Sequence, residues 1–323
     1  MNQNKTVYWN NVCLLSKMEE ENNNRYLIHY RTHSNCSFHF VYFGLGREQT
    51  LYKRVREELS SGQPIPEGLV STDLSIFHDS KCLLKRSESF AQIDHFFPKR
   101  PDYVDHPIMH PTGKWIPSNI IPLVMVVNRT LIEERAVPKS LESLLSERWK
   151  GKVVLGGIDT SAGKSVLMAY WYLYGKTAVE KLIENVRFST VPAQAFQLAK
   201  SGLYPIAIVP TIFSVMGDRF GLQQIWPEEG AVCIPAYIGI RKDAPDSILP
   251  LLGDCLFNDR LQNTYSRNGH MIPMKEGITD PEFVRENKGK ILYPPWEWIA
   301  TFNMDELMEI CGRVRMHSFD YDA

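Results

Sequence analysis

Apolar residues in this chain come in short dense runs separated by Gly, Pro and small polar clusters. The two densest are residues 119–128 (NIIPLVMVVN) and 231–241 (AVCIPAYIGIR). Rich in β-branched residues and closed by polar turns, they predict two long buried strands. Between them the pattern alternates. Residues 152–155 (KVVL) read as a strand, 165–174 and 178–185 as helix, and 186–191 as a strand. Residues 193–200 read as a helix closed by Ser201-Gly202, and 204–209 (YPIAIV) as another strand. Residues 131–136 and 138–149 follow the first long strand, the latter with Pro near a helix start and Leu141, Leu144 and Leu145 on one face. Strand and helix in alternation predict an α/β fold with a parallel or mixed sheet covered on both faces.

The flanks are less regular. Residues 6–9, 26–30 (YLIHY) and 38–45 read as strands, the second better than the first. Residues 47–59 carry Leu51, Val55 and Leu59 at helical spacing, and 60–68 form a Ser/Gly/Pro linker. Residues 69–77 (LVSTDLSIF) read as a buried strand ending at His78-Asp79, followed by a mixed, partly helical stretch over 80–97. Residues 100–117, rich in Pro, His and Asp, read as a surface connection. Residues 246–257, 259–265 and 304–311 read as helices, and 290–298 set aromatics around two prolines. No internal repeat or low-complexity segment is present.

Composition narrows the class. With 323 residues the default is two domains, and a net charge of −1 offers no basic field for nucleic acid. No run approaches the ~20 apolar residues of a membrane span. The N-terminal residues have no apolar core of a secretory signal, so the sequence as written reads as cytoplasmic. The six cysteines contain no CxxC pair and read as buried thiols, not as a disulfide framework or zinc site. His106 and His110 are four apart, but Pro107 and Pro111 oppose the helix that would join them. No metal and no cofactor is expected.

One stretch carries candidate chemistry: residues 151–175, GKVVLGGIDTSAGKSVLMAYWYLYG. Strand, glycine turn, polar cap and helix aim backbone N–H groups and a positive dipole end at one point. Gly163-Lys164-Ser165 suggests a phosphate loop. A Walker A motif then needs Gly at 158, where Ile stands. A P-loop-like nucleotide enzyme is thus the weaker alternative to a ligand-lined or simply capped helix. No G-x-S-x-G or H-E-x-x-H motif is present, which favours binding without catalysis.

The order of motifs resembles the type II periplasmic binding protein family, the solute-binding components of ABC transporters, in the branch that includes ferric-ion binders. The resemblance rests on LVMVVNRTLI at 123–132, VPKSLESLLSERWKGKVVLGG at 137–157 and IWPEEGAVCIPAYIGIRKDAP at 225–245. It covers roughly residues 69–300. It implies two α/β lobes joined by two hinge crossings, near Ile121-Pro122 and Ile234-Pro235. Lobe 1 would be 1–122 and 236–323, and lobe 2 would be 123–235. It further implies a small-molecule or ion ligand held in the interlobe cleft by hinge closure, a membrane permease as partner, and a periplasmic setting. A cytoplasmic sensor with the same fold is the rival.

Seven residues are candidate ligand contacts. Asp159, Thr160 and Ser161 stand at the helix start, where capping alone is the plain alternative. His78 follows a strand, Pro210 and Thr211 follow YPIAIV, and Tyr237 lies on the return strand, where it either stacks on ligand or packs. Ferric binders of the resembling branch use paired tyrosines just after the strand matching YPIAIV. Ile212 and Phe213 stand there instead, and neither supplies the oxygen that a hard ferric ion prefers. The expected ligand is a small polar or anionic solute.

Overall fold

The two densest apolar runs become the two longest strands, and every residue in both is buried. The computed structural model describes residues 5–10, 13–34, 37–44, 50–97 and 100–318. Leu45 and residues 47–49 of the runs noted above, and Cys36, lie outside the described residues.

In chain order the elements begin with β1 (Lys5–Asn10), α1 (Ser16–Ser34), β2 (Phe38–Phe43), α2 (Leu51–Ser60), β3 (Gly68–Ser71) and α3 (Leu74–His78). Next come β4 (Trp115–Asn128), β5 (Val153–Gly156), α4 (Ser161–Tyr174), α5 (Lys176–Asn185), β6 (Val186–Ser189), α6 (Pro192–Lys200), β7 (Ile206–Pro210) and α7 (Thr211–Ser214). The last third holds β8 (Leu222–Ile225), β9 (Ala231–Ile240), α8 (Ile248–Leu256), α9 (Asp259–Arg267), β10 (Ile272–Pro273), α10 (Glu282–Glu286), β11 (Ile291–Leu292), α11 (Trp296–Thr301) and α12 (Met304–Ser318).

The chain divides into two compact units. Unit 1 takes Met1–Ile120, Pro235–Asp280 and Pro295–Ala300, and unit 2 takes Ile121–Ile234, Pro281–Pro294 and Thr301–Ala323. The chain thus passes from one unit to the other inside β4 and again inside β9. The C-terminal portion is shared between them.

In unit 1, β1 pairs in parallel with both β2 and β3, and β3 pairs antiparallel with β9, Ser71 opposite Tyr237. β10 adds antiparallel to β4 at Ile120. In unit 2, β5 lies in parallel between β6 and β7, and β7 pairs antiparallel with β4. The core there is built from Val126, Val154, Ala195, Phe196, Ala207 and Val209, with Phe213 and Leu222 at its side. The fold is α/β with a mixed sheet, as expected.

Four local expectations are corrected. Residues 26–30 are not a strand but part of α1. The buried side of α1 holds Glu19, Asn22 and Asn23, while Ile28 is 66% exposed. Apolar content therefore misled, because the inward face of this helix is polar. Two of these three side chains are tied to other helices: Asn22 Nδ2 donates to the Cys255 carbonyl at 2.8 Å, and the Tyr265 hydroxyl to Glu19 Oε1 at 2.7 Å. The run 69–77 is a strand only to Ser71, because Asp73 caps a new helix by accepting from the Ser75 amide at 3.1 Å. Residues 138–149 form short 3-10 turns and no continuous α-helix. Residues 100–117 are not simply surface: Tyr103, Ile108 and Trp115 are buried, and β4 already begins at Trp115.

Cys82, Cys233 and Cys255 are buried, unbridged thiols, and Cys311 is buried as well. No helix among the described residues is long and apolar enough to cross a membrane.

Candidate ligand site

The register of β5 and β7 decides which loops of unit 2 become neighbours. Leu155 stands opposite Ile208 in parallel pairing. The carboxyl ends of both strands therefore lie side by side. The Gly156–Thr160 turn and the Pro210–Thr211 step leave from the same edge of the sheet, where open α/β sheets place their ligands.

Local chemistry shapes the first of these. Gly157 has φ of +61°, a left-handed conformation that favours glycine. A Cβ on Gly163 would sit 2.3 Å from the Gly157 carbonyl oxygen, so only glycine lets the turn fold down onto its own helix. Thr160 is the N-cap of α4. Its hydroxyl donates to the Gly157 carbonyl at 2.7 Å and accepts from the Gly163 amide at 3.4 Å. Asp159 is exposed and Ser161 half-buried on either side of it. One turn into α4, Ser165 Oγ is buried with no hydrogen-bond partner among the described residues. It shares the helix face of Ser161.

This arrangement corrects the phosphate-loop alternative. The helix starts at Ser161, so Gly163-Lys164-Ser165 lies inside it and not ahead of it. The Lys164 amide donates to the Thr160 carbonyl at 3.1 Å, and its side chain is buried. Neither is left to wrap a phosphate chain.

Pro210 closes β7 opposite Leu123, and Thr211 opens α7; both are buried. The Thr211 carbonyl accepts from Ser214 Oγ at 3.1 Å. Ile212 and Phe213 follow, so α7 carries hydrocarbon at the two positions after Thr211.

The unit 1 candidates gather around Trp296. His78 ends α3 fully buried, its ring edge-on to Trp296 at 5.3 Å, and burial lowers its pKa to about 3. Tyr237 is fully buried as well. Its hydroxyl donates to the Ile108 carbonyl at 2.6 Å, and its ring packs against Phe77 at 5.2 Å and Trp296 at 5.9 Å.

Two features had no expectation attached. At the carboxyl ends of β1 and β3, Asn10 Nδ2 donates to Thr72 Oγ1 at 3.0 Å. A polar residue closing each strand was the available signal. In unit 2, Glu229 accepts from the Leu141 and Glu142 amides at 2.9 and 3.0 Å and from the Tyr174 hydroxyl at 2.6 Å. Burial alone would raise its pKa, but these hydrogen bonds outweigh burial and hold the carboxyl below its ordinary value. Residues 87 and 88 apart in sequence are tied here, a pairing invisible to local pattern.

Comparison with known proteins follows the same lines. No curated protein matches the chain. Among solved structures, the apo ferric ion-binding protein A of Pasteurella haemolytica is 18% identical with a TM-score of 0.70, over 96% of this chain and 97% of that one. The ferric binding protein of Campylobacter jejuni is 13% identical with a TM-score of 0.69, over 96% and 98%. A two-component system protein that mediates signal transduction is 14% identical with a TM-score of 0.67, over 96% and 100%. At these identities the likeness is one of fold. The family described as bacterial extracellular solute-binding protein matches residues 65–300, most of the chain. The chain belongs to that family of solute-binding proteins.

Proposed function

We propose that this protein is the solute receptor of an ABC-type importer, works outside the cytoplasm with a membrane permease as partner, and binds a small polar or anionic solute without catalysis. The observation that carries this is the parallel register of β5 and β7, which sets the α4 N-terminus beside Thr211 at one sheet edge. A helix N-terminus presents amide donors and a positive dipole end, worth roughly 0.3–1 kcal/mol toward an exposed negative group. The Ser161 hydroxyl and the Ser165 hydroxyl add donors on the same helix face. Asp159, exposed beside the cap, selects for a ligand that also offers a donor or a cationic part.

The solved structures of Pasteurella haemolytica and Campylobacter jejuni that share this fold are ferric-ion binders. The ligand proposed here is different. After Pro210, α7 offers Thr211, Ile212, Phe213 and Ser214, with no phenolate pair to hold a hard cation.

The test is a thermal-shift screen with oxyanions, organic acids and amino acids. A solute at a hundredfold over its dissociation constant adds about 2.7 kcal/mol of stability. The reading expects a hit that is lost in Ser161→Ala combined with Thr211→Val. A hit with ferric iron alone, unaffected by those changes, overturns it. The fold likeness to a signalling protein supports a second reading, a sensor with the same ligand site. Capture of a membrane permease by the liganded protein separates the two.

A further inference from the structure

We propose that His29 and His33, in the last two turns of α1, chelate one borderline divalent transition-metal ion, copper(II) most tightly. The two residues stand four apart in a continuous helix, which makes their side chains neighbours on one face. Their rings stack with centroids 4.4 Å apart and an interplanar angle of 27°. Both are exposed, and neither enters an ion pair among the described residues. Two histidines at this spacing on a helix are the pair that H-E-x-x-H helices present to zinc.

A second observation selects the nitrogen that would bind. His33 Nδ1 lies 2.9 Å from the His29 carbonyl oxygen. A carbonyl only accepts, so Nδ1 carries the proton and, in the neutral ring, Nε2 holds the free lone pair. Histidines that ligate metals commonly donate their other N–H to a backbone carbonyl in this way, which fixes the tautomer and raises the basicity of the ligating nitrogen. The His29 ring makes no hydrogen bond among the described residues, so it is free to turn its own Nε2 toward the same ion.

The place on the helix suits a cation. α1 ends at Ser34, so both histidines lie near its negative dipole end. Tyr30, between them in sequence, donates its hydroxyl to Asp254 Oδ2 in α8 at 2.8 Å and holds these last turns in place. Arg31 falls on the opposite side of the helix from the pair. Among the described residues no third His, Cys, Asp or Glu joins the two to complete a cage. Two protein nitrogens with water in the remaining positions make an open, exchangeable site, so affinity follows the intrinsic order copper(II), nickel(II), zinc(II). Imidazole nitrogen disfavours magnesium and calcium, which take oxygen ligands.

The test titrates the full chain with copper(II) sulfate in a non-coordinating buffer, followed by visible absorption and electron paramagnetic resonance. Copper should saturate, with splitting from two imidazole nitrogens. His29→Gln and His33→Gln should each weaken copper at least about tenfold, because the chelate loses one of two linked donors. His95→Gln removes an exposed histidine elsewhere in unit 1 and should leave binding unchanged. Both tested positions are exposed, so the metal-free variants should melt with the wild type. Ser161→Ala with Thr211→Val should leave the copper response intact, which separates this site from the α4 edge. Absence of saturation at micromolar copper, splitting from a single nitrogen, or undiminished binding by either variant overturns the proposal.

Discussion

The hydroxyl of Tyr265 donates to Glu19 Oε1 at 2.7 Å, and the two residues are 1% and 2% exposed. This bond ties α1 to α9 across 246 positions of sequence. Tyr265→Phe keeps the ring and leaves a buried carboxylate short of one donor. The expected cost is ~1–3 kcal/mol, read as a lower urea midpoint with unchanged slope. An unchanged midpoint would show that Glu19 has full compensation elsewhere.

Gly163→Ala sets a methyl group 2.3 Å from a backbone oxygen, an atom that cannot swing aside. Either the Gly156–Thr160 turn lifts off α4 or the helix start unwinds. We expect a loss of ~2–3 kcal/mol. Helix propensity alone predicts the opposite sign, since Ala is favoured over Gly by ~1 kcal/mol in a helix interior. Equilibrium unfolding therefore decides between the two, and a more stable variant would refute the close contact.

Glu229→Gln removes a charge that accepts two amides and a phenol hydroxyl. The replacement must turn its NH₂ toward one of those donors. The cost should be about 2 kcal/mol at neutral pH. The depressed carboxyl contributes stability above its unfolded pKa and loses it as pH falls through the folded value. Stability of the variant should thus converge on the wild type in acid. A constant gap from pH 7 to the acid limit would contradict this assignment.

His78 and His110 set the other acid-sensitive component. Their pKa values fall to about 3 and about 4, in both cases chiefly through burial and for His110 also through Lys114. An unfolded histidine titrates near 6.5. Between that value and the folded one the unfolded chain binds more protons, so stability is fully present above about pH 6.5 and declines as pH falls through the folded pKa. Melting temperature should drop steadily below pH 6.5. In His110→Gln the decline should be shallower, and an identical slope would show that His110 does not titrate with unfolding.

Thr160→Ala removes the α4 cap, whose hydroxyl both donates to Gly157 and accepts from Gly163. The expected cost is ~0.5–2 kcal/mol, measured by thermal unfolding. Thr160→Ser retains the hydroxyl and should restore most of it. Failure of serine to do so would point to the Thr160 methyl group, not the cap.

Local pattern read correctly wherever burial and apolarity coincide. Residues 119–128 and 231–240 are strands because every position faces protein, and dense β-branched runs report that directly. The cap at Thr160 was legible for a similar reason: a polar hydroxyl just before an apolar helix is a short-range signal. Residues 26–30 failed because the inward face of α1 is Glu19, Asn22 and Asn23, of which Asn22 bonds to α8 and Glu19 to α9. The turns at 100–114 read as surface because Pro, His and Asp are usually solvated. Tertiary packing instead buries Tyr103 and Ile108 there.

By itself the sequence determined that this chain is α/β, where its long strands lie, and that a capped helix follows a glycine turn at 156–161. Those features depend on neighbours a few residues apart, and short-range sterics and periodic burial specify them. Only the tertiary structure decided that β5 lies beside β7, that Glu229 clasps the turn at Leu141, and that Trp296 is wedged between His78 and His110. Each joins groups tens to hundreds of residues apart. Their encounter is set by strand register and side-chain packing, which no local window of the sequence contains.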